Sequence, residues 1–133
     1  MDERTLLLPD WRGNNRMDSL RNIVRDGRVS LMFLVVGASG ILRVNGHAVL
    51  SDDPMLTARF VQEETHPRAV IVVSVTEAYP QCARAVMRAG LWSRNDATDL
   101  PTAGEMIRTA GDPAFDAETY DAEWPARARD SLW

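Results

Sequence analysis

The chain has 133 residues, 45% of them hydrophobic and 26% charged, a globular composition with room for one cored domain and too little chain for two. Its formal net charge of −4 excludes nucleic-acid binding driven by bulk positive charge. All 15 basic residues are arginine, so no lysine can form a Schiff base, and the lone Cys82 excludes an intrachain disulfide and a cysteine-based zinc site.

Residues 5–8 read as a short strand closed by Pro9 and Asp10. A polar turn through Trp11 and Gly13 leads to Asn15 as a helix N-cap, with Asp18 at the third helical position, where a carboxylate can reach back as in a capping box. Met17, Leu20, Ile23 and Val24 follow helical spacing, and Gly27 stops the helix. Residues 29–36 form a nearly continuous apolar run, which predicts a strand buried on both faces. The hairpin turn 37–40 and a second long strand, 41–50, follow.

Asp53 and Pro54 signal the start of a helix over 54–62, with Asp53 as cap and Pro54 at the first position. A polar loop, 63–68, precedes the strongest strand signal of the chain, the β-branched stretch within 69–78. Pro80 is expected to end that strand, and 81–89 to form a helix stopped by Gly90. Beyond Trp92 the composition turns acidic and rich in Ala, Pro and Asp. The organisation expected is a core over 1–92 and a peripheral helical extension of the same domain over 93–133, carrying one or two helices. A four-residue turn between strands 29–36 and 41–50 permits only antiparallel pairing. The fold class is therefore α+β, built on an antiparallel sheet or barrel, and a doubly wound dinucleotide fold is excluded.

No catalytic constellation stands out. His47 and His66 lack any ligand spacing, so a structural role is favoured and no metal site is expected. Ser30, Ser39 and Ser74 lack a nucleophile elbow, and the glycines at 37 and 40 lack the Lys of a phosphate loop. Cys82 reads as a small buried residue. The arginines carry more. Arg21 and Arg25 read as a solvated helix face. Arg16, delivered with Asn14 and Asn15 to a helix start, suits either an anion site or an ordinary helix beginning; Asp18 counts against the first by already offsetting the helix dipole. Arg43, if it faces inward, needs a partner or ligand, because a buried unpaired guanidinium is costly. The longest apolar run, 31–36, is too short to span a bilayer, and residues 1–20 do not read as a signal peptide, so a soluble cytoplasmic protein is expected.

Several blocks together resemble the pyridoxamine 5'-phosphate oxidase-like, FMN-binding split-barrel family, in its oxidase-related branch. They are Leu7-Leu8-Pro9-Asp10 with Gly13-Asn14-Asn15-Arg16, then Asp18-Ser19-Leu20-Arg21-Asn22-Ile23, Arg28-Val29-Ser30-Leu31-Met32-Phe33, Leu42-Arg43-Val44-Asn45-Gly46-His47-Ala48 and Gln81-Cys82-Ala83-Arg84-Ala85. The resemblance continues to Leu91-Trp92, Pro101-Thr102-Ala103-Gly104-Glu105 and Tyr120-Asp121. It implies a six-stranded split barrel, a homodimer, and FMN at the subunit interface. Asn15, Arg16 and Ser19 would hold the flavin phosphate, the ring would lie along strands 29–36 and 41–50, and Arg43 would touch flavin or interface.

Members of this family carry a helix and further strands ahead of the segment matching residues 2–5, so the chain is expected to form an incomplete barrel of four strands with open edges and weak flavin affinity. It also lacks the family's Gly-Glu-Thr before Leu42 and the C-terminal Arg-x-His-x-Arg substrate motif of true pyridoxamine phosphate oxidases. The function implied is an FMN-dependent oxidoreductase acting on an unknown small molecule, with no catalytic side chain named. The alternatives are a non-catalytic dimeric binding or scaffold domain with weak or no flavin binding, and a relative using heme or deazaflavin.

Overall fold

The computed structural model describes residues 2–13 and 15–130, and Asn14 of the polar turn lies outside the described residues. The chain divides into two compact units, Met1–Trp92 and Ser93–Trp133. The first contains four strands, β1 (Thr5–Asp10), β2 (Arg28–Leu34), β3 (Ile41–Ser51) and β4 (Ala69–Gln81), and three helices, α1 (Asp18–Arg25), α2 (Pro54–Thr57) and α3 (Arg84–Ala89). The second contains α4 (Ala103–Ala110) and α5 (Ala117–Asp130).

The strands make one curled, fully antiparallel half-barrel sheet in the order β1-β4-β3-β2. The α+β class and the antiparallel β2–β3 hairpin follow the sequence expectation. Among the described residues the sheet has four strands, the number expected from the sequence. The core is made of small aliphatic side chains: Ile41, Val44, Ala48, Val70, Val73 and Val86 are buried in the first unit. Between Asn45 and Gly46 the β3–β4 register shifts by a bulge. A side chain at Gly46 would collide with the Ser74 carbonyl oxygen, so the bulge depends on glycine here.

Five expectations are corrected. Asn15 is not the N-cap of α1: it sits in the left-handed region at φ 58°, the cap position is Met17, and Asp18 opens the helix rather than standing third. The apolar run in β2 is not buried on both faces, because β2 is an edge strand; only Val29 and Leu31 are half-buried, and Met32, Phe33 and Leu34 are exposed. The helix after Asp53 stops at Thr57. Gln62 and Thr65 exchange backbone hydrogen bonds of 3.0 and 2.8 Å, closing a turn whose central Glu63 and Glu64 are left-handed at φ 46° and 64°.

The fourth correction concerns Pro80, which lies inside β4 opposite Leu42, so α3 begins at Arg84 instead of 81. Beyond Val75 only the β3 side of β4 is paired, so the N–H that proline lacks is not needed by a second neighbour. The Asp53 cap stands as expected, its Oδ1 accepting from the Met55 amide at 2.8 Å, and Gly90 closes α3 in the left-handed conformation. Cys82 is exposed rather than buried. The Trp92 indole Nε1 donates to the Ala38 carbonyl at 2.6 Å, fastening the end of this unit to the β2–β3 turn.

In the second unit Thr102 and Glu105 form a complete capping box at the start of α4. Gly104 lets α4 approach α5 closely: a Cβ there would lie 2.5 Å from the Ala117 carbonyl oxygen, and the Gly104 amide donates to Asp121 Oδ1 at 2.8 Å. Phe115, Tyr120 and Trp124 form an aromatic row, with the Arg127 guanidinium 4.9 Å above the Tyr120 ring.

Candidate functional site

α1 lies over one face of the sheet and leaves a groove of about 330 Å³ beneath it. Its floor is apolar. Leu8 of β1, Val29 and Leu31 of β2, and Ile71 and Val73 of β4 line it, with Ile23 of α1 above. The pairings Leu8↔Ile71 and Leu6↔Val73 show why these residues share a face. The rim is polar: Ser19, Asn22 and Asp26 of the α1 segment border the opening. With Ile23 they fall at spacings of three and four residues, one stripe of a helix.

The sequence reading found Ser19 and missed Asn22 and Asp26. The helical spacing from Ser19 would have revealed both.

At the far end of the groove Arg28 grips Asp26. Its Nε donates to Oδ1 at 2.9 Å and Oδ2 at 3.0 Å, and its backbone amide donates to Oδ1 at 3.1 Å. These hydrogen bonds, with the guanidinium charge behind them, hold the Asp26 carboxyl at about 2, below the ordinary 3.8. Asp26 is therefore ionised at neutral pH and has no proton to give.

The other end is the start of α1, where the N-cap residue Met17 makes no side-chain cap hydrogen bond. First-turn N–H groups and the positive end of the helix dipole favour negative charge here, and Asp18 supplies one in the first turn. Asn15 and Arg16 lie in the turn just before it and are exposed, and Ser19 is in its first turn. Arg16 Nε stands 3.9 Å from Asp18 Oδ2, a loose pair whose side chains are 83% and 77% exposed.

Arg43 is placed elsewhere. Leu31 pairs with Val44 and Met32 with Arg43, so Arg43 projects from the sheet face opposite to Leu31 and the groove. There Arg43 Nη2 donates to Ser30 Oγ at 3.2 Å and Nη1 approaches Met32 Sδ at 3.6 Å, while its buried Nε has no partner. Of the four expected site residues, the structure brings Asn15, Arg16 and Ser19 together at the helix start and sets Arg43 on the other side of the sheet. On that second face Asn45 Nδ2 donates to Glu77 Oε1 at 2.6 Å, a pair with no sequence signal.

Among the described residues no cluster of His, Cys, Asp and Glu could hold a metal ion, and no helix is long and apolar enough to cross a membrane. No curated protein and no solved structure is significantly similar to the chain. The profile of the family described as pyridoxamine 5'-phosphate oxidase matches residues 1–82, which include the whole sheet, α1 and the groove. With its antiparallel half-barrel sheet in the split-barrel pattern, the chain belongs to the pyridoxamine 5'-phosphate oxidase family.

Proposed function

We propose that the chain binds FMN through the start of α1 and the groove beside it, and works as an oxidoreductase subunit on a small molecule. The observation that carries this reading is the start of α1, without a cap hydrogen bond from the Met17 side chain, at the mouth of an apolar groove, in a chain of a family built around FMN. A phosphate suits the helix start: first-turn amides and the Ser19 hydroxyl donate hydrogen bonds, and Arg16 supplies the charge. Arg16 is exposed in the turn and stands close to Asp18 in a solvated pair. The aliphatic floor suits part of a planar ring system.

When bound, flavin supplies the electron transfer, and the protein's share is placement and electrostatics. The chain's own residues bind the phosphate, shelter the ring and keep a fixed negative charge at Asp26. Arg43 lies on the opposite sheet face, so its part in this reading is an interface contact within a homodimer.

The test is titration of purified protein with FMN and, separately, riboflavin, followed by flavin fluorescence and visible absorbance. Saturable FMN binding well above that of riboflavin is expected, because riboflavin lacks the phosphate. Equal affinity for the two would remove the phosphate site. A second reading, flavin binding without turnover, is favoured by the groove's single rim carboxylate being locked by Arg28. Reduction of bound FMN by a nicotinamide donor, followed at the flavin absorbance, separates the two.

A further inference from the structure

The two edges of the sheet are unlike. At the β1 edge the Val75 amide donates to the Arg4 carbonyl at 2.8 Å, so Arg4 turns its backbone groups toward β4. By alternation Leu6, Leu8 and Asp10 do the same, and Thr5, Leu7 and Pro9 face outward. Pro9 has no N–H to offer an incoming strand. A proline on the outer side of an edge guards it against further pairing.

β2 has no such guard. The Ala48 amide donates to the Gly27 carbonyl at 2.6 Å, which turns Val29, Leu31 and Phe33 toward β3. Arg28, Ser30, Met32 and Leu34 therefore face outward, and the Arg28 amide is taken by Asp26. Among the described residues no hydrogen bond uses the outward backbone groups of Ser30, Met32 or Leu34. From Val29 to Val36 there is no charge, proline or glycine, and Met32, Phe33 and Leu34 are exposed. A row of unpaired N–H and C=O groups is filled by another strand.

We propose that this edge takes β2 of a second copy, paired antiparallel about a two-fold axis at Leu31. That axis lies at the midpoint of Arg28–Leu34, so every residue of the strand gains a partner. Ser30 and the partner's Met32 exchange both backbone hydrogen bonds, and the Leu34 amide reaches the partner's Arg28 carbonyl. On the groove face Val29 meets the partner's Phe33 and the two Leu31 side chains meet each other, apolar pairs that stabilise a ladder. The two Arg28 residues stand at opposite ends, about 20 Å apart, where parallel pairing would set them side by side. The strand thus matches itself in this register. The contact lies at the rim of the sheet, apart from the Arg43 face, so a chain using both assembles beyond a dimer.

Leu34→Pro tests it, because it removes an outward N–H and no bond to β3. With the wild-type circular dichroism spectrum retained, it is expected to raise the dissociation constant of this contact about tenfold in analytical ultracentrifugation, through two lost hydrogen bonds. Assembly through the Arg43 face does not use that N–H. Wild type and variant that assemble alike therefore overturn the edge contact and leave the homodimer reading standing. A wild type that is monomeric at all concentrations overturns both, and leaves the edge to a strand of a different protein.

Register is read by Leu31→Cys combined with Cys82→Ser, which removes the exposed native thiol. With oxidised glutathione as the electron acceptor, the two introduced thiols at the axis are expected to join as a disulfide between chains, seen as a dimer on a non-reducing gel. Val29→Cys in the same background faces Phe33 of the second copy and is expected to stay monomeric on that gel. Equal cross-linking at both positions, or none at Leu31, overturns the pairing.

Discussion

Arg28 and Asp26 form the firmest ion pair of the groove rim, with Arg28 Nε 2.9 and 3.0 Å from the two carboxylate oxygens of Asp26. The pair closes the end of the groove where α1 turns into β2, and it makes Asp26 a fixed charge.

A pH dependence follows from that pair. Asp26 is lowered from 3.8 to about 2 by the Arg28 side-chain hydrogen bonds first and the Arg28 amide second. A carboxyl whose folded value lies below its unfolded value adds stability that is fully present above 3.8. That stability is lost as pH falls through about 2. Asp26→Asn removes this part of the acid limb. The thermal midpoints of wild type and variant, measured from pH 5 downward, are expected to converge across this window; a gap that stays constant refutes it. The effect is small, because the pair is solvated.

Gly46 is the position least able to change. A Cβ there meets the Ser74 carbonyl at the bulge, and backbone cannot yield as a side-chain tip can. Gly46→Ala is expected to cost about 1–3 kcal/mol, the range for overpacking, in urea unfolding. An unchanged midpoint would show that the bulge relaxes freely.

The turn at Glu63 and Glu64 offers the opposite result. Both residues are left-handed between the hydrogen-bonded Gln62 and Thr65, a geometry that prefers Asn followed by Gly. The double change Glu63→Asn with Glu64→Gly is expected to stabilise by roughly 0.5–1 kcal/mol, after the entropy cost of the added glycine. Chemical denaturation reads it directly, and a loss of stability would contradict the assigned turn.

The flavin reading is tested at Arg16 and Ser19. Arg16→Ala is expected to weaken FMN about tenfold, the value of one charge-assisted hydrogen bond at an exposed site, and to leave riboflavin unaffected. Ser19→Ala is expected to weaken FMN by a smaller factor. Thermal midpoints should hardly move, because the N-cap residue of α1 is Met17. A parallel loss of FMN and riboflavin would show that Arg16 shapes the groove instead of holding a phosphate.

Much of this molecule was legible in the chain. The antiparallel hairpin, the order of elements, the Asp53 cap and the Gly90 stop all follow from spacing and turn chemistry within a few residues. Val24 shows where such reasoning ends: it fits the apolar stripe of α1 but is 73% exposed. Helical spacing records that a face is apolar and cannot say how far the sheet extends beneath it. The turn at 62–65 was invisible for a related reason, since Glu is an uncommon choice at left-handed positions and gives no turn signal.

Local sequence determined the elements, the family blocks and the three polar residues delivered to the start of α1, because each depends on neighbours a few positions away. The side of the sheet on which each residue lies was decided only by tertiary structure. Strand register, the bulge at Gly46 and the placement of α1 sort Ser19 and Asp26 to one face and Arg43 and Glu77 to the other. A shift of one residue in pairing would exchange those faces, and no local signal records which register the long-range hydrogen bonds select.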